Sequence, residues 1–334
     1  MVFKLSVVSG SGYREFFIFR KFDSHKPVLG SYIGDKGGED MTRAEMVMQL
    51  LDQSQTTRKQ IREIRLRVGR PVLIYEGKTE TQWNVTVDRD LIREFLGMVS
   101  SHSLYAFEDE IRQGFLTIEG GHRIGITGTV VQDGKEIRTI KDISGLNIRV
   151  AHACPGCADR LLPWICERDQ VFNTLLISPP GAGKTTMLRE LIRQISEGDQ
   201  MRKGLSVSVV DERSELAACY RGVPQWDLGS RTDVLDGCPK ALGMNLMIRS
   251  MAPRVLAVDE IGTQEDLEAL REVMKCGCKV LATVHGTCVE DLKKKRILKD
   301  MVIEEMFERY VVLTGNPIPG TIAGIYGGAG QKLR

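Results

Sequence analysis

The chain has 334 residues, 42% hydrophobic and 27% charged, with a formal net charge of +2 and eight cysteines. That length has room for two domains, and the mixture is that of an ordinary folded protein, which excludes a fibrous or disordered chain. The near balance of charge gives no electrostatic case for a nucleic-acid protein. No apolar run approaches the roughly 18 residues of a spanning helix, and Phe16-Phe-Ile-Phe19, cut off by Arg20 and Lys21, is too short for a signal-peptide core.

Residues 1–40 mix short aromatic runs with Gly/Ser pairs, and Gly34-Asp-Lys-Gly-Gly-Glu-Asp40 has no periodicity. They are expected to form a poorly ordered N-terminal extension. A helix is expected from Met41, with Thr42 as its N-cap and Glu45 three residues on. Ile64-Arg-Leu-Arg-Val68 alternates like a strand, and Pro71-Val-Leu-Ile-Tyr75 reads as its neighbour. Arg89 to Ser101 reads as a helix. Phe115-Leu-Thr-Ile118, Arg123-Ile-Gly-Ile-Thr127 and Thr129-Val-Val131 read as short strands divided by glycines. Asp133-Gly134 is a hairpin turn, and Leu146-Asn-Ile-Arg-Val150 is one more strand. Residues 41–150 are thus expected to be a smaller α+β domain made largely of hairpins.

After residue 151 strands alternate with helices. Cys154-Pro-Gly-Cys157 lacks a second ligand pair, so a tight turn with free thiols is the first reading, with zinc or a redox pair as alternatives. The scattered cysteines are expected to be reduced thiols of a cytosolic protein. Apolar runs at 174–178, 205–210, 255–258 and 279–284 read as buried parallel strands. Two later strands, 309–314 and 321–325, flank the turn Gly315-Asn-Pro-Ile-Pro-Gly320. Residues 151–334 are expected to be an α/β domain with a doubly wound, mostly parallel core and a hairpin at its end.

The segment Ser178-Pro179-Pro180-Gly181-Ala182-Gly183-Lys184-Thr185 follows the apolar run Leu175-Leu176-Ile177 and opens a helical stretch at Thr186. A strand, a small-residue loop ending in Gly-Lys-Thr and then a helix is the context of a phosphate-binding loop. Its backbone N–H groups would turn inward around a phosphate, helped by the positive end of the helix. Lys184 would reach the β- and γ-phosphates of ATP, and the Thr185 hydroxyl would complete a Mg²⁺ shell. Ser178 stands where the motif usually begins with glycine. It lies at the strand end, where a positive φ is not required.

Such a loop needs a carboxylate for Mg²⁺ and a base for the attacking water. Val255-Leu-Ala-Val-Asp-Glu-Ile261 supplies both at a strand end. Asp259 is the expected metal ligand, and Glu260 the group that polarises water. Val207-Ser-Val-Val-Asp-Glu-Arg213 brings Asp211 and Glu212 to the same sheet edge. The strand 279–284 ends in Thr283, His285 and Gly286, where a γ-phosphate sensor would sit.

The order of these motifs is similar to that of the secretion and traffic ATPases, whose Walker A, Asp box, Walker B and His box they match. Arg249 lies in the matched stretch Ile248-Arg-Ser-Met-Ala-Pro-Arg-Val-Leu-Ala-Val-Asp-Glu-Ile-Gly262, and the resemblance makes it a catalytic candidate. Arg254 and Asp259 stand where those ATPases usually have Asp and Gly. Those two departures resemble the stage III sporulation protein AA family. So do Ser178 to Thr186, Val210-Asp-Glu-Arg-Ser-Glu-Leu216, Gly120-Gly-His-Arg-Ile-Gly-Ile126 and Ser144-Gly-Leu-Asn-Ile-Arg-Val150. The resemblance spans roughly 45–334. It implies a RecA-like P-loop core, ATP hydrolysis with Mg²⁺, and a homo-oligomeric ring, hexameric in number. It also implies docking on membrane proteins of a sporulation channel from the mother-cell cytoplasm. Arginines of the small domain, Arg123, Arg138 and Arg149, are candidates to neutralise transition-state charge, with Arg213 and Arg231 behind them.

Two other functions compete. A nucleic-acid-dependent ATPase would use Lys293-Lys-Lys-Arg296 with Arg138 and Lys141, yet no aromatic stacking stripe accompanies them, so nucleic acid is not an expected partner. A nucleotide-gated scaffold would bind ATP with little hydrolysis, and Glu260 argues against it.

Overall fold

The structure is a computed structural model. It describes residues 2–9, 12–19, 41–56, 61–77, 79–100, 107–134, 136–168 and 170–334. The chain divides into two units, one of residues 1–116 and 123–150, the other of 117–122 and 151–334.

In the first unit, β1 (Val2–Ser9) and β2 (Gly12–Phe19) pair as an antiparallel hairpin where composition suggested no element. The expectation at Gly34–Asp40 lies outside the described residues. Helix α1 (Arg43–Thr56) starts as its sequence predicts. Glu45 donates its N–H to Thr42 Oγ1 (3.2 Å) and returns a carboxylate oxygen to the Thr42 N–H (2.7 Å), closing a capping box. Then follow β3 (Ile61–Arg67), β4 (Pro71–Glu76), β5 (Thr79–Thr86), α2 (Arg89–Val99), α3 (Glu108–Arg112), β6 (Phe115–Thr117), β7 (Arg123–Asp133) and β8 (Glu136–Arg149). The sheet order is β5-β4-β3-β8-β7-β6. Period-2 alternation turns Ile64, Leu66, Val72, Ile74, Ile124, Ile126, Leu146 and Ile148 inward, where they are buried. Leu91, Ile92, Phe95 and Leu96 give α2 a buried face of its own.

The second unit begins with α4 (Leu162–Ile165), β9 (Cys166–Glu167) and β10 (Gln170–Val171). Its core comprises β11 (Thr174–Ser178), α5 (Lys184–Glu197), β12 (Val207–Asp211), β13 (Thr232–Asp236), α6 (Lys240–Met251) and β14 (Val255–Val258). It continues through α7 (Gln264–Lys275), β15 (Lys279–His285), α8 (Val289–Leu292), α9 (Arg296–Ile303), β16 (Arg309–Thr314) and β17 (Thr321–Gly327). The sheet order is β13-β12-β14-β15-β11-β16-β17, parallel except for the antiparallel β17. This is the doubly wound α/β core that the alternation of strands and helices predicts. Leu175 and Ile177 of β11 face one apolar layer with Leu256, Leu267, Met301 and Tyr310, and Leu176 faces the other with Leu188 and Leu191 of α5.

One feature of the order positions the site. β15 lies between β11, which carries the phosphate loop, and β14, which carries Asp259 and Glu260. Side chains at the carboxyl end of β15 therefore stand between loop and carboxylates. Residues 117–122, expected within the N-terminal domain, belong instead to this second unit. Gly120 donates its N–H to Gln225 Oε1 (2.9 Å), and the His122 Nδ1 accepts from the Ala151 N–H (3.0 Å).

Candidate functional site

The phosphate loop leaves β11 at Ser178, which is fully buried, pairs with His285 in the sheet and keeps extended backbone, so no glycine is needed there. Gly181 (φ +73°) and Gly183 (φ +89°) take the left-handed conformation that favours glycine. Gly183 has a second constraint, since a Cβ there would lie 2.9 Å from the Gly320 nitrogen. Gly320, at the end of the β16–β17 turn, donates its N–H to the Ala182 carbonyl (2.8 Å), so this turn braces the loop from outside the motif. Gly183 caps α5 without a side chain, and the free N–H groups of the first helical turn are the anion site such a loop presents.

The residues that would meet a nucleotide are gathered by hydrogen bonds. Thr185 donates its hydroxyl to Asp259 Oδ2 (2.7 Å), and Thr283 donates to Asp259 Oδ1. The Thr283 hydroxyl in turn accepts the Glu260 N–H (2.9 Å). Glu260 has a φ of +56°, a left-handed conformation that costs a non-glycine residue about 1 kcal/mol or more. Its carboxylate collects three donors. Lys184 Nζ (2.7 Å) and His285 Nε2 (2.9 Å) reach Oε1, and Arg213 reaches Oε2 (2.9 Å). Burial acts to raise this carboxyl, but the Lys184 hydrogen bond and the charges of Lys184, His285 and Arg213 outweigh it and hold it below the usual range.

The hard oxygens of Thr185 and Asp259 lie side by side, and with phosphate oxygens they form the donor set that Mg²⁺ takes. Among the described residues no group of three or more His, Cys, Asp or Glu side chains could hold a metal alone.

Asp211, expected at the nucleotide, is 2% exposed, and its oxygens accept the N–H groups of Glu215 (2.9 Å), Leu216 (2.9 Å) and Ala217 (2.8 Å). It anchors the loop after β12, and burial pushes it up to about 6 against the pull of those amides. Glu212 is ion-paired with Lys240, and with Asp211 it lines one small pocket shared with Arg213, Asp259 and Glu260. Arg249 is exposed in the last turn of α6. That helix runs back between the parallel strands β13 and β14, so its C-terminal turn lies at the sheet edge opposite the phosphate loop. Arg249 is thus not brought to the site of its own chain. Arg231 donates to the Ser196 carbonyl (3.0 Å) at the end of α5, also away from the loop. In the first unit Arg123 and Arg149 are register partners on β7 and β8, with Arg123 stacked 3.6 Å over the Phe115 ring. Arg138 lies nearer the tip of that hairpin and lends its carbonyl to Arg112.

Cys154-Pro-Gly-Cys157 forms a turn, with the Cys157 N–H on the Cys154 carbonyl (3.2 Å) and Gly156 at φ +79°. Burial pushes the Cys157 thiol up to about 12. Lys295, from the basic run, donates to the His285 carbonyl (2.6 Å). Sequence reasoning missed Lys240, the brace from Gly320, and Arg189, which holds the Glu215 and Leu216 carbonyls (2.7 and 2.8 Å). Each acts across more than 25 residues of chain, where no local spacing points to it.

A family model described as sporulation stage III, protein AA, matches residues 40–333. The stage III sporulation protein AA of Bacillus subtilis is 42% identical over 277 residues, covering 82% of this chain and 89% of that protein. The X-ray structure of the Legionella pneumophila ATPase DotB has a TM-score of 0.55 at 15% identity, over 82% of this chain and 78% of that one. The pilus retraction motor PilT with bound ADP has a TM-score of 0.54 at 14% identity, over 82% and 78%. These two likenesses establish the fold, that of the RecA-like secretion ATPases.

Proposed function

This chain belongs to the stage III sporulation protein AA family, and on that premise we propose that it is an ATPase that hydrolyses ATP with Mg²⁺. The observation that carries the reading is the convergence of Lys184, Thr185, Asp259, Glu260 and His285 at the carboxyl edge of β11, β14 and β15. In this reading the α5 N-terminus and Lys184 bind the β- and γ-phosphates. Thr185 and Asp259 hold Mg²⁺, which when bound neutralises phosphate charge. Glu260 takes a proton on a carboxylate oxygen as water adds to the γ-phosphorus and the bond to the ADP oxygen breaks. His285, hydrogen-bonded to that carboxylate, orients it.

The family carries the reading further. The chain works as a homo-oligomeric, hexameric ring in the mother-cell cytoplasm, held at the membrane by the membrane proteins of a channel to the forespore. No helix among the described residues is long and apolar enough to cross a membrane.

Steady-state ATP turnover, with molar mass measured with and without ATP, tests this. Glu260→Gln is expected to bind ATP and lose hydrolysis by about a hundredfold or more. Lys184→Ala is expected to lose both binding and turnover while melting like wild type. Turnover in Lys184→Ala equal to wild type would remove the site assignment. Slow hydrolysis that Glu260→Gln leaves unchanged would favour the nucleotide-gated scaffold.

A further inference from the structure

The three donors on Glu260 are not equivalent. Lys184, 8% exposed in its side chain, and His285 share Oε1, whereas Arg213, 64% exposed, takes Oε2. Arg213 extends from a stretch whose neighbours are fixed. Glu212 before it pairs with Lys240. Ser214 after it has a φ of +52°, and its hydroxyl donates to Asp236 Oδ1 (2.7 Å). The next three residues are held by the Asp211 carboxylate, and Arg189 grips two of their carbonyls. The fixed mount leaves only the side chain's own torsions to be ordered, at the full entropic cost of a long side chain.

Resting on the ATPase reading, we propose that Arg213 is a positioning residue, which fixes the carboxylate plane of Glu260 for hydrolysis from within the same chain. In that reading Lys184 turns to the phosphates, and its hydrogen bond to Oε1 is given up. His285 then remains on Oε1 and Arg213 on Oε2, one donor for each oxygen. The last torsion of a glutamate is broad, with no staggered wells to hold it. Without Arg213 the plane is set from one side only. A base that is misdirected loses rate, while the phosphate contacts stay whole.

The test uses the full chain, comparing wild type, Arg213→Ala and Arg213→Lys. ATP turnover is measured beside the affinity for a non-hydrolysable ATP analogue, with melting temperature as the control for folding. Arg213→Ala is expected to lower kcat about tenfold to a hundredfold. KM and analogue affinity should stay within about twofold, and Arg213→Lys should recover part of the rate. An unchanged kcat would overturn the proposal. So would an analogue affinity that falls in step with kcat, since Arg213 would then be a phosphate ligand. A wild-type chain that neither binds the analogue nor turns over ATP would sink the ATPase reading, and this proposal with it.

Discussion

At the residue scale, the hydroxyl of Thr283 does two things at once, donating to Asp259 and accepting from the Glu260 N–H. Thr283→Val keeps the shape and removes both. It is expected to cost about 1–3 kcal/mol in chemical denaturation, the range for stranding a buried polar group. ATP turnover should fall with it, because Glu260 loses the bond that stabilises its left-handed backbone. A variant with wild-type rate and stability would show Asp259 and Glu260 to be held by other means. His122 makes a second prediction. Burial, with the charge of His152 beside it, depresses this imidazole to about 4. The folded chain therefore keeps it neutral while the unfolded chain takes a proton below about 6.5. Its contribution is present above that pH and is lost as pH falls from 6.5 to 4, by about 3 kcal/mol in total. His122→Asn, which can still accept the Ala151 N–H, should flatten the stability curve in that window. An unchanged acid slope would mean that other groups produce it. The phosphate loop, Asp259, Glu260 and His285 were legible in the sequence because each sits at the end of an apolar run. Asp211 has the same sequence signature, yet its carboxylate turns back onto its own loop, which no spacing distinguishes.

At the element scale, what was legible follows burial. Strands enclosed on both faces, such as β11, β14 and β15, are continuous apolar runs and are found as expected. β5 and β13 close the outer edges of their sheets, are half exposed, and consist mainly of polar residues, so they left no run to find. β7 was expected as two strands because Gly128 interrupts it, yet the ladder continues through a bulge between Thr127 and Thr129. A Cβ at Gly128 would lie 2.6 Å from the Lys141 carbonyl, so that glycine permits close approach of the backbones and ends nothing. The loop after β12 supports a third prediction. Asp211→Ala strips three backbone donors of their acceptor and should destabilise the protein by about 2 kcal/mol in chemical denaturation. An effect within error would show that Arg189 alone holds the loop.

At the scale of the whole molecule, the chain passes between its two units three times, after Leu116, after His122 and after Val150. Residue 151 is therefore a poor place to begin a fragment. A 151–334 chain lacks the Gly120–Gln225 bond, the acceptor for the Ala151 N–H, and the buried Gly121, where even a Cβ would lie 3.3 Å from Ala218 and 3.5 Å from Trp226. It should lose about 3 kcal/mol and melt roughly 6–12 °C below the full chain. Equal melting would show 117–122 to be dispensable. The same short segment adds one more distant closure to folding. Gly120 and Gln225 are 105 positions apart in the chain, so a loop of that length must close before the second unit is finished. During synthesis the segment emerges well before its seat exists and waits through the making of β7, β8, the phosphate loop and α5. The contact with Gln225 can therefore form only after the ribosome has passed Trp226, and β14 to β17, which complete the sheet around β11, are made later still.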